Sequence, residues 1–201
     1  RAANLSFNDD AGGISVEVEH ISAKPVYGSI LTGNLSLGET VIDKPRVEVN
    51  LGDLRGTPTS KTGEPQTVPV KSRSVALPIR AMDLVLNDGS VKVTDPKSGT
   101  VELSQINSRV ALQPPGERSD FDLKMVVARA DKVSEIKAAG NVTTKSKKGW
   151  SLKGTSGDLT VEVKDLDLES LGPIFALAGV NVDAKGVVNG TAKGRIEDGR
   201  L

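Results

Sequence analysis

The chain has no cysteine, a single histidine and only five aromatic residues among 201 positions: Phe7, Tyr27, Phe121, Trp150 and Phe175. Without cysteine there is no disulfide, no thiolate metal site and no cysteine nucleophile, although the compartment stays open. Large aromatic side chains dominate most cores and small-molecule pockets. Their scarcity points to thin packing or to a smooth, hydrocarbon-like lining. Net charge is missing as well, since 26 Lys and Arg balance 26 Asp and Glu. No basic field can neutralise a phosphate backbone, which removes the main driving force for nucleic-acid binding. No run approaches the roughly 20 apolar residues of a membrane-spanning helix, and no signal peptide is visible. The sequence starts at Arg1 and stops at Leu201 just after a glycine-punctuated strand pattern. It reads as a single β-rich segment, 1–201, of a longer protein.

What the chain does have is period-two alternation. Ile14, Val16 and Val18 alternate with Ser15, Glu17 and Glu19, and Leu31, Leu35 and Leu37 share a phase with Gly33. Val41, Val47, Val49 and Leu51 face away from Lys44, Arg46, Glu48 and Asn50, with Pro45 marking an edge or a bulge. Residues 84–95, LVLNDGSVKVTD, read as a β-hairpin because Asp88-Gly89 is the pair that a two-residue type I′ loop prefers. That loop pairs Leu86 with Val91 and Leu84 with Val93, placing four aliphatic side chains on one face. Strand patterns recur at 75–80, at 100–112 with a change of phase between Leu103 and Ile106, at 121–127, at 149–154 and at 158–166. The phase change implies a bulge or a break. Residues 131–139 fit a short helix as well as a strand.

Three segments depart from simple strands. Residues 52–73 crowd Gly, Pro, Thr, Ser and Lys together, the composition of a long mobile loop. Residues 169–179, ESLGPIFALAG, carry Leu171, Phe175 and Ala178 at helical spacing, with Pro173 placed as N1 and Gly179 as a C′ terminator. This helix is short and apolar, so it is expected to cap something. From Val180 to Ile196 the alternation is continuous, with Gly186, Gly190 and Gly194 on the apolar side. As one strand it would span about 56 Å at ~3.3 Å per residue, so either a turn near Asn189-Gly190 divides it or the sheet is unusually tall.

Catalytic chemistry has little to work with. His20 follows Val18 in the apolar phase of its strand and reads as a structural histidine near a strand end. No second histidine and no cysteine can join it in a zinc site. The carboxylate groups Asp9-Asp10, Asp165-Asp167-Glu169 and Glu197-Asp198 lack the ordered spacing of a calcium loop. The glycines of the last strand pattern do not open a helix after a strand, so no phosphate loop is present. The Asn-x-Ser/Thr triplets at Asn4, Asn34, Asn141 and Asn189 are expected by chance in such a composition. No catalytic residue, cofactor site or metal site is assigned, and an enzyme ranks last among the readings.

Three segments in order carry a resemblance: ISVEVEHISAKPVYGSILTGNLSLGETVIDKPRVEVNL, LPIRAMDLVLNDGSVKVTDPKSGTVELSQINSRVAL and DLTVEVKDLDLESLGPIFALAGVNVDAKGVVNGTAKGRI. Together they resemble the AsmA-like family of Gram-negative envelope proteins (AsmA/TamB/YhdP-type). The resemblance implies a mainly β, elongated, curled antiparallel sheet with one or two short helices, forming an open, β-taco-like groove. It implies a periplasmic location in a protein anchored to the inner membrane elsewhere in the parent chain. It also implies phospholipid acyl chains as the partner, carried between the inner and outer membranes, with an outer-membrane partner and no cofactor. On this reading the groove lining includes Leu84, Leu86, Val91, Val93, Leu123, Met125, Val161, Val163, Val182 and Val188. Two alternatives stand beside it. The same residues could form the closed core of a structural or adhesive β-sandwich or solenoid, or a sheet edge could serve the assembly of outer-membrane proteins.

Overall fold

The computed structural model describes residues 1–9, 13–26, 35–56, 79–145, 154–179, 182 and 184–198. Nine strands form one open sheet in sequence order. They are β1 Ala2–Asn8, β2 Ile14–Pro25, β3 Leu35–Asn50, β4 Ile79–Asp95, β5 Gly99–Leu112, β6 Ser119–Arg129, β7 Lys132–Thr144, β8 Thr155–Asp167 and β9 Val187–Ile196. A short helix, α1 (Leu51–Gly56), follows β3; a 3-10 turn (Leu168–Leu171) and a second helix, α2 (Gly172–Leu177), lie between β8 and β9. The expected mainly β architecture with an open sheet and two short helices is present, and the sheet does not close into a barrel.

The sheet is mixed, not purely antiparallel. β3 and β4 run parallel, whereas every other neighbouring pair is antiparallel. A parallel pair cannot be joined by a tight turn, so the chain between them must cross back. That crossing starts with α1, which corrects the expectation of a loop beginning at residue 52. Asn50 Oδ1 accepts the Gly52 N–H at 3.0 Å and Asn50 Nδ2 donates to Asp53 at 2.6 Å, fixing the first turn. The remainder of the expected loop, 57–73, lies outside the described residues, as do the pattern residues 31–34, 75–78 and 149–153.

LVLNDGSVKVTD is not a hairpin. β4 passes through it as one strand of 17 residues. Asp88, not Gly89, takes the left-handed conformation, with φ 50°. On one side β3 pairs with β4 from Thr40↔Leu84 to Asn50↔Thr94, and on the other Leu86 pairs with Ser108 and Val91 with Leu103 of β5. A hairpin would forfeit both long ladders, so the Asp-Gly chemistry is used instead for an extra residue within a strand.

The same device recurs across the sheet. Asn4 in β1, Lys44 in β3, Gln105 in β5 and Asp165 in β8 also have positive φ, at 53°, 46°, 49° and 51°. The β1–β2, β2–β3 and β3–β4 registers run unshifted past these residues, so the extra residues stand in one row. Beyond β5 the row is interrupted, and the β5–β6 register slips by one between Ser104 and Asn107. This is the bulge announced by the phase change between Leu103 and Ile106. Asn107 clamps the crease: its Oδ1 accepts the Asp88 N–H at 3.1 Å and its Nδ2 donates to the Gln105 carbonyl at 2.8 Å.

β6 shows what the row achieves. Its pairing with β7 is unbroken, so Leu123, Met125 and Val127 lie on one face. Leu123 leads through Ser108 to Leu86, and Val127 leads through Leu103 to Val91. The two halves of β4 therefore keep their aliphatic residues on the same face despite the extra residue. In β3 the same slip puts Ile42 rather than Val41 with Val47 and Val49, since Ile42 pairs with Leu86 and Val41 with Val85. His20 pairs with Asp43, whose neighbour is Asn87, and so lies on the opposite, polar face rather than in the apolar phase of Val18. Residues 131–139 belong to a turn and to β7, not to a helix. Of the pattern from 180 to 196, Val187–Ile196 form β9, whose pairing with β8 ends at Asp167↔Val187, while residues 180, 181 and 183 lie outside the described residues.

Gly89 and Asp88 give a test of the packing and backbone at the bulge. A Cβ at Gly89 would lie 2.9 Å from Leu86 Cδ2 and 3.2 Å from Pro45 Cγ. Gly89→Ala is expected to cost about 1–3 kcal/mol by overpacking, whereas Asp88→Gly relieves a left-handed backbone and is expected to leave stability unchanged or raised. Urea denaturation of the two variants gives this ranking; the reverse ranking would contradict the bulge.

Candidate functional site

Register lines up mostly aliphatic residues from β3 to β9. One row runs Ile42, Leu86, Ser108, Leu123, Ala138, Val161, Ala192, and the next runs Gly89, Ile106, Met125, Ile136, Val163, Gly190. A third contains Val47, Val91, Leu103, Val127 and, beyond Ser134, Leu166 and Val188. Ser108 turns its hydroxyl to the Asp122 carbonyl at 2.8 Å, and Ser134 donates to the Asp165 carbonyl at 2.8 Å. Their polarity is thus spent on the backbone. Phe121 lies over Gly140, where an added Cβ would meet Phe121 Cζ at 2.9 Å and the Asp158 carbonyl oxygen at 2.2 Å.

The face has two unlike halves. On the side of Leu84, Leu86, Val110, Phe121 and Leu123 the aliphatic residues are half-buried and lie outside the buried core. On the other side Val49, Leu51, Val93, Val101, Val127 and Leu166 form that core, with Leu171, Ile174 and Ala176 of the 168–177 segment packed against it. The helical residues cover this half as a second layer. The expected cap is therefore present, with Pro173 in the first turn of α2 and Gly179, at φ 72°, donating its N–H to the Ala176 carbonyl.

A polar cluster holds the cover at its 3-10 end. Arg129 donates through Nη1 to the Glu169 carbonyl and through Nη2 to the Ser98 carbonyl at 2.8 Å, joining the 3-10 turn to the β4–β5 turn. Asp95, almost fully buried, accepts the Ser98 N–H at 2.9 Å and its hydroxyl at 2.7 Å. Asp167, also buried, accepts the Ser170 hydroxyl at 2.9 Å and pairs with Lys132 at 3.1 Å. The Ser170 hydrogen bond foremost, then Lys132, hold its carboxyl below the usual aspartate range against the opposing effect of burial. This cluster escaped the sequence reading, which weighed Asp165-Asp167-Glu169 only as a calcium loop and set it aside. Its one local signal is Ser170 three residues after Asp167.

The opposite face is a solvated charge lattice. Lys44 pairs with Glu19 at 3.1 Å, Lys124 and Lys137 share Glu135 at 3.2 and 3.4 Å, and Arg195 faces Asp158 at 3.6 Å. The Glu135 carboxyl is held low chiefly by its Lys124 hydrogen bond. Exposed pairs of this kind contribute little to stability. A shallow depression of about 510 Å³ follows the extra residues on this side. It sets Lys44, Arg46 and Lys92 against Glu48, Asp88 and Glu102, so its formal charges cancel. Among the described residues no three His, Asp or Glu side chains are grouped as metal ligands.

Of the residues expected to line a groove, Leu84, Leu86, Leu123, Met125, Val161 and Val163 share the aliphatic face and are half-buried. Val91 borders the core, Val93 lies entirely beneath the cover, and Val188 lies at the β9 edge. Val182 does not line the face: it is exposed coil before β9, where β8 has no residue left to pair with it. The reading missed Ile42, hidden by the slip at Lys44, and Ile136, hidden by the helix-or-strand ambiguity.

Because folding lowers the Asp167 pKa, its contribution is complete above the unfolded aspartate value of about 3.9 and is lost as pH falls through the lower folded value. Melting temperatures measured from about pH 5 down to about pH 3 are expected to fall less steeply for Asp167→Asn than for the unmodified chain. Equal slopes would show that Asp167 does not couple to folding.

Compared with known proteins, the chain matches no family model, no curated protein and no solved structure.

Proposed function

We propose that this chain is a non-enzymatic lipid-binding segment whose aliphatic face holds phospholipid acyl chains. The observation that carries this reading is the register itself: apolar side chains follow one another from strand to strand, and half of that face lies outside the buried core. An acyl chain is flexible and featureless, so Leu, Ile, Val and Ala suffice to receive it, and no hydrogen bonds are needed for orientation. Each buried methylene is worth about 0.8 kcal/mol, so a short length of chain already gives useful affinity. Rows of similar side chains also give similar affinity along their length, which a transfer path requires. The resemblance to AsmA-like envelope proteins supports the same reading and would place the chain in the periplasm, in a protein tethered to the inner membrane and passing phospholipid towards the outer membrane. A closed sandwich core needs a second sheet over the aliphatic face, whereas the described strands form one sheet.

The test is native mass spectrometry with lipid extraction on the purified chain. Phospholipid is expected to co-purify and to be reduced at least tenfold by Leu86→Asp with Leu123→Asp, two half-buried positions linked through Ser108. Circular dichroism should show the strands retained. A compact, lipid-free monomer that excludes hydrophobic dyes would overturn the reading.

A further inference from the structure

We propose that β1 and β9 are complementary edges through which copies of this chain join head to tail into one longer sheet. The inference does not rest on the lipid reading above. It starts from strand direction. Of the eight neighbouring strand pairs, seven are antiparallel and one, β3–β4, is parallel, so β1 and β9 run in opposite directions. A second copy that continues the sheet beyond β9, with its aliphatic face on the same side, therefore presents its β1 antiparallel to β9. Antiparallel pairing is the more stable arrangement per residue. Were β3 and β4 antiparallel too, the same junction would be parallel.

An edge strand exposes a row of backbone N–H and C=O groups, and proteins usually blunt it with a proline, a bulge or an inward-pointing charge. β9 has none of these from Gly190 to Ile196. Its register with β8 is unshifted there, and Lys193 and Arg195, opposite Thr160 and Asp158, lie on the polar face. Among the described residues no strand lies beyond β9 on one side or β1 on the other.

Side-chain size matches across the junction. Phe7 leads through Val16 to Val47, the row that ends at Val188 on β9. Leu5 leads through Val18 to Pro45 beside Gly89, the row that ends at Gly190. Continued into a second copy, these rows set Phe7 against Val188 and Leu5 over Gly190. In the single chain Phe7 is 63% exposed, Leu5 45% and Val188 38%, and a Cβ at Gly190 would meet nothing within 4 Å. The sheet uses the same fit internally, where Phe121 of β6 pairs with Gly140 of β7 and lies over it. A large side chain across from a glycine restores packing that the glycine lacks. Pairing β9 with β9 would set small residues on small residues, and pairing β1 with β1 would leave Gly190 uncovered. Two unlike edges make a heterologous contact, which repeats instead of stopping at a dimer.

Sedimentation velocity over a concentration series tests the junction. The unmodified chain is expected to form a series of species from dimer upwards. Leu5→Lys with Phe7→Lys blocks the β1 edge and Ala192→Lys blocks the β9 edge, and each is expected to weaken association about tenfold or more. All three residues are exposed in the single chain, so the strands are expected to be retained, which circular dichroism checks. Mixed together, the two variants each keep one intact edge and are expected to form a one-to-one dimer that grows no further. A monomeric unmodified chain, or association untouched by the substitutions, would overturn the proposal. Dimers of either variant alone, or a mixture that stays monomeric, would do the same.

Discussion

Side chains in a strand alternate, so one extra residue sends everything beyond it to the other face. A strand that bends by taking on an extra residue must therefore either lose its apolar face or be matched by its neighbours. Here the neighbours match: Asn4, Lys44 and Asp88 slip at one height, and the slip at Gln105 reconciles β5 with a β6 that has none. Everything else depends on that agreement. It keeps Leu86 and Val91 on one face and leaves His20 opposite Asp43 on the other. It also frees backbone groups that Asn side chains take up, with Asn107 serving Asp88 and Gln105, and Asn189 accepting the Asp165 N–H at 2.7 Å. The many Asn and Asp residues that looked like turn formers belong in part to this crease.

A single sheet with one aliphatic face raises a second problem, because a large exposed apolar patch invites association. Among the described residues, one half of the face is covered. There α2 and the 3-10 turn form a dry layer, and the backbone and charges at its rim are satisfied by Arg129, Lys132, Ser98 and Ser170. On the other half the aliphatic rows continue beyond that layer. Among the described residues the two halves are chemically alike and differ in what lies over them.

Alternation, helix capping and the near absence of reactive groups are local properties, and each was legible in the sequence. Topology was not, and Asp88-Gly89 shows why. A two-residue hairpin loop and a one-residue bulge both use a left-handed position, and both leave Leu84, Leu86, Val91 and Val93 on a common face. The local pattern is identical for the two. Only the ladders from β3 and β5 separate them, and those partners lie tens of residues away. The same holds for Val182: its alternation is as good as that of Val188, but strand formation ends where β8 ends. The parallel β3–β4 pairing is likewise a relation between two strands and not a property of any residue within either.

Side-chain size on the aliphatic face varies from strand to strand and is least at β9. Towards β3, β4 and β6 it is built of Ile42, Leu86, Leu123 and Phe121; towards β9 the same rows end in Ala192, Gly190 and Gly194. In an ordinary core such thinning would be filled from the facing layer by larger side chains, because interiors tolerate few voids. Among the described residues the facing layer is the 168–177 segment, and its apolar contacts are with the buried core rather than with Ala192 or Gly194. Small residues leave the backbone approachable, and β9 carries Gly190, Ala192 and Gly194 in succession on this face. The glycines of β9 weaken the strand that carries them and thin the face at an edge over which the described residues place no second layer.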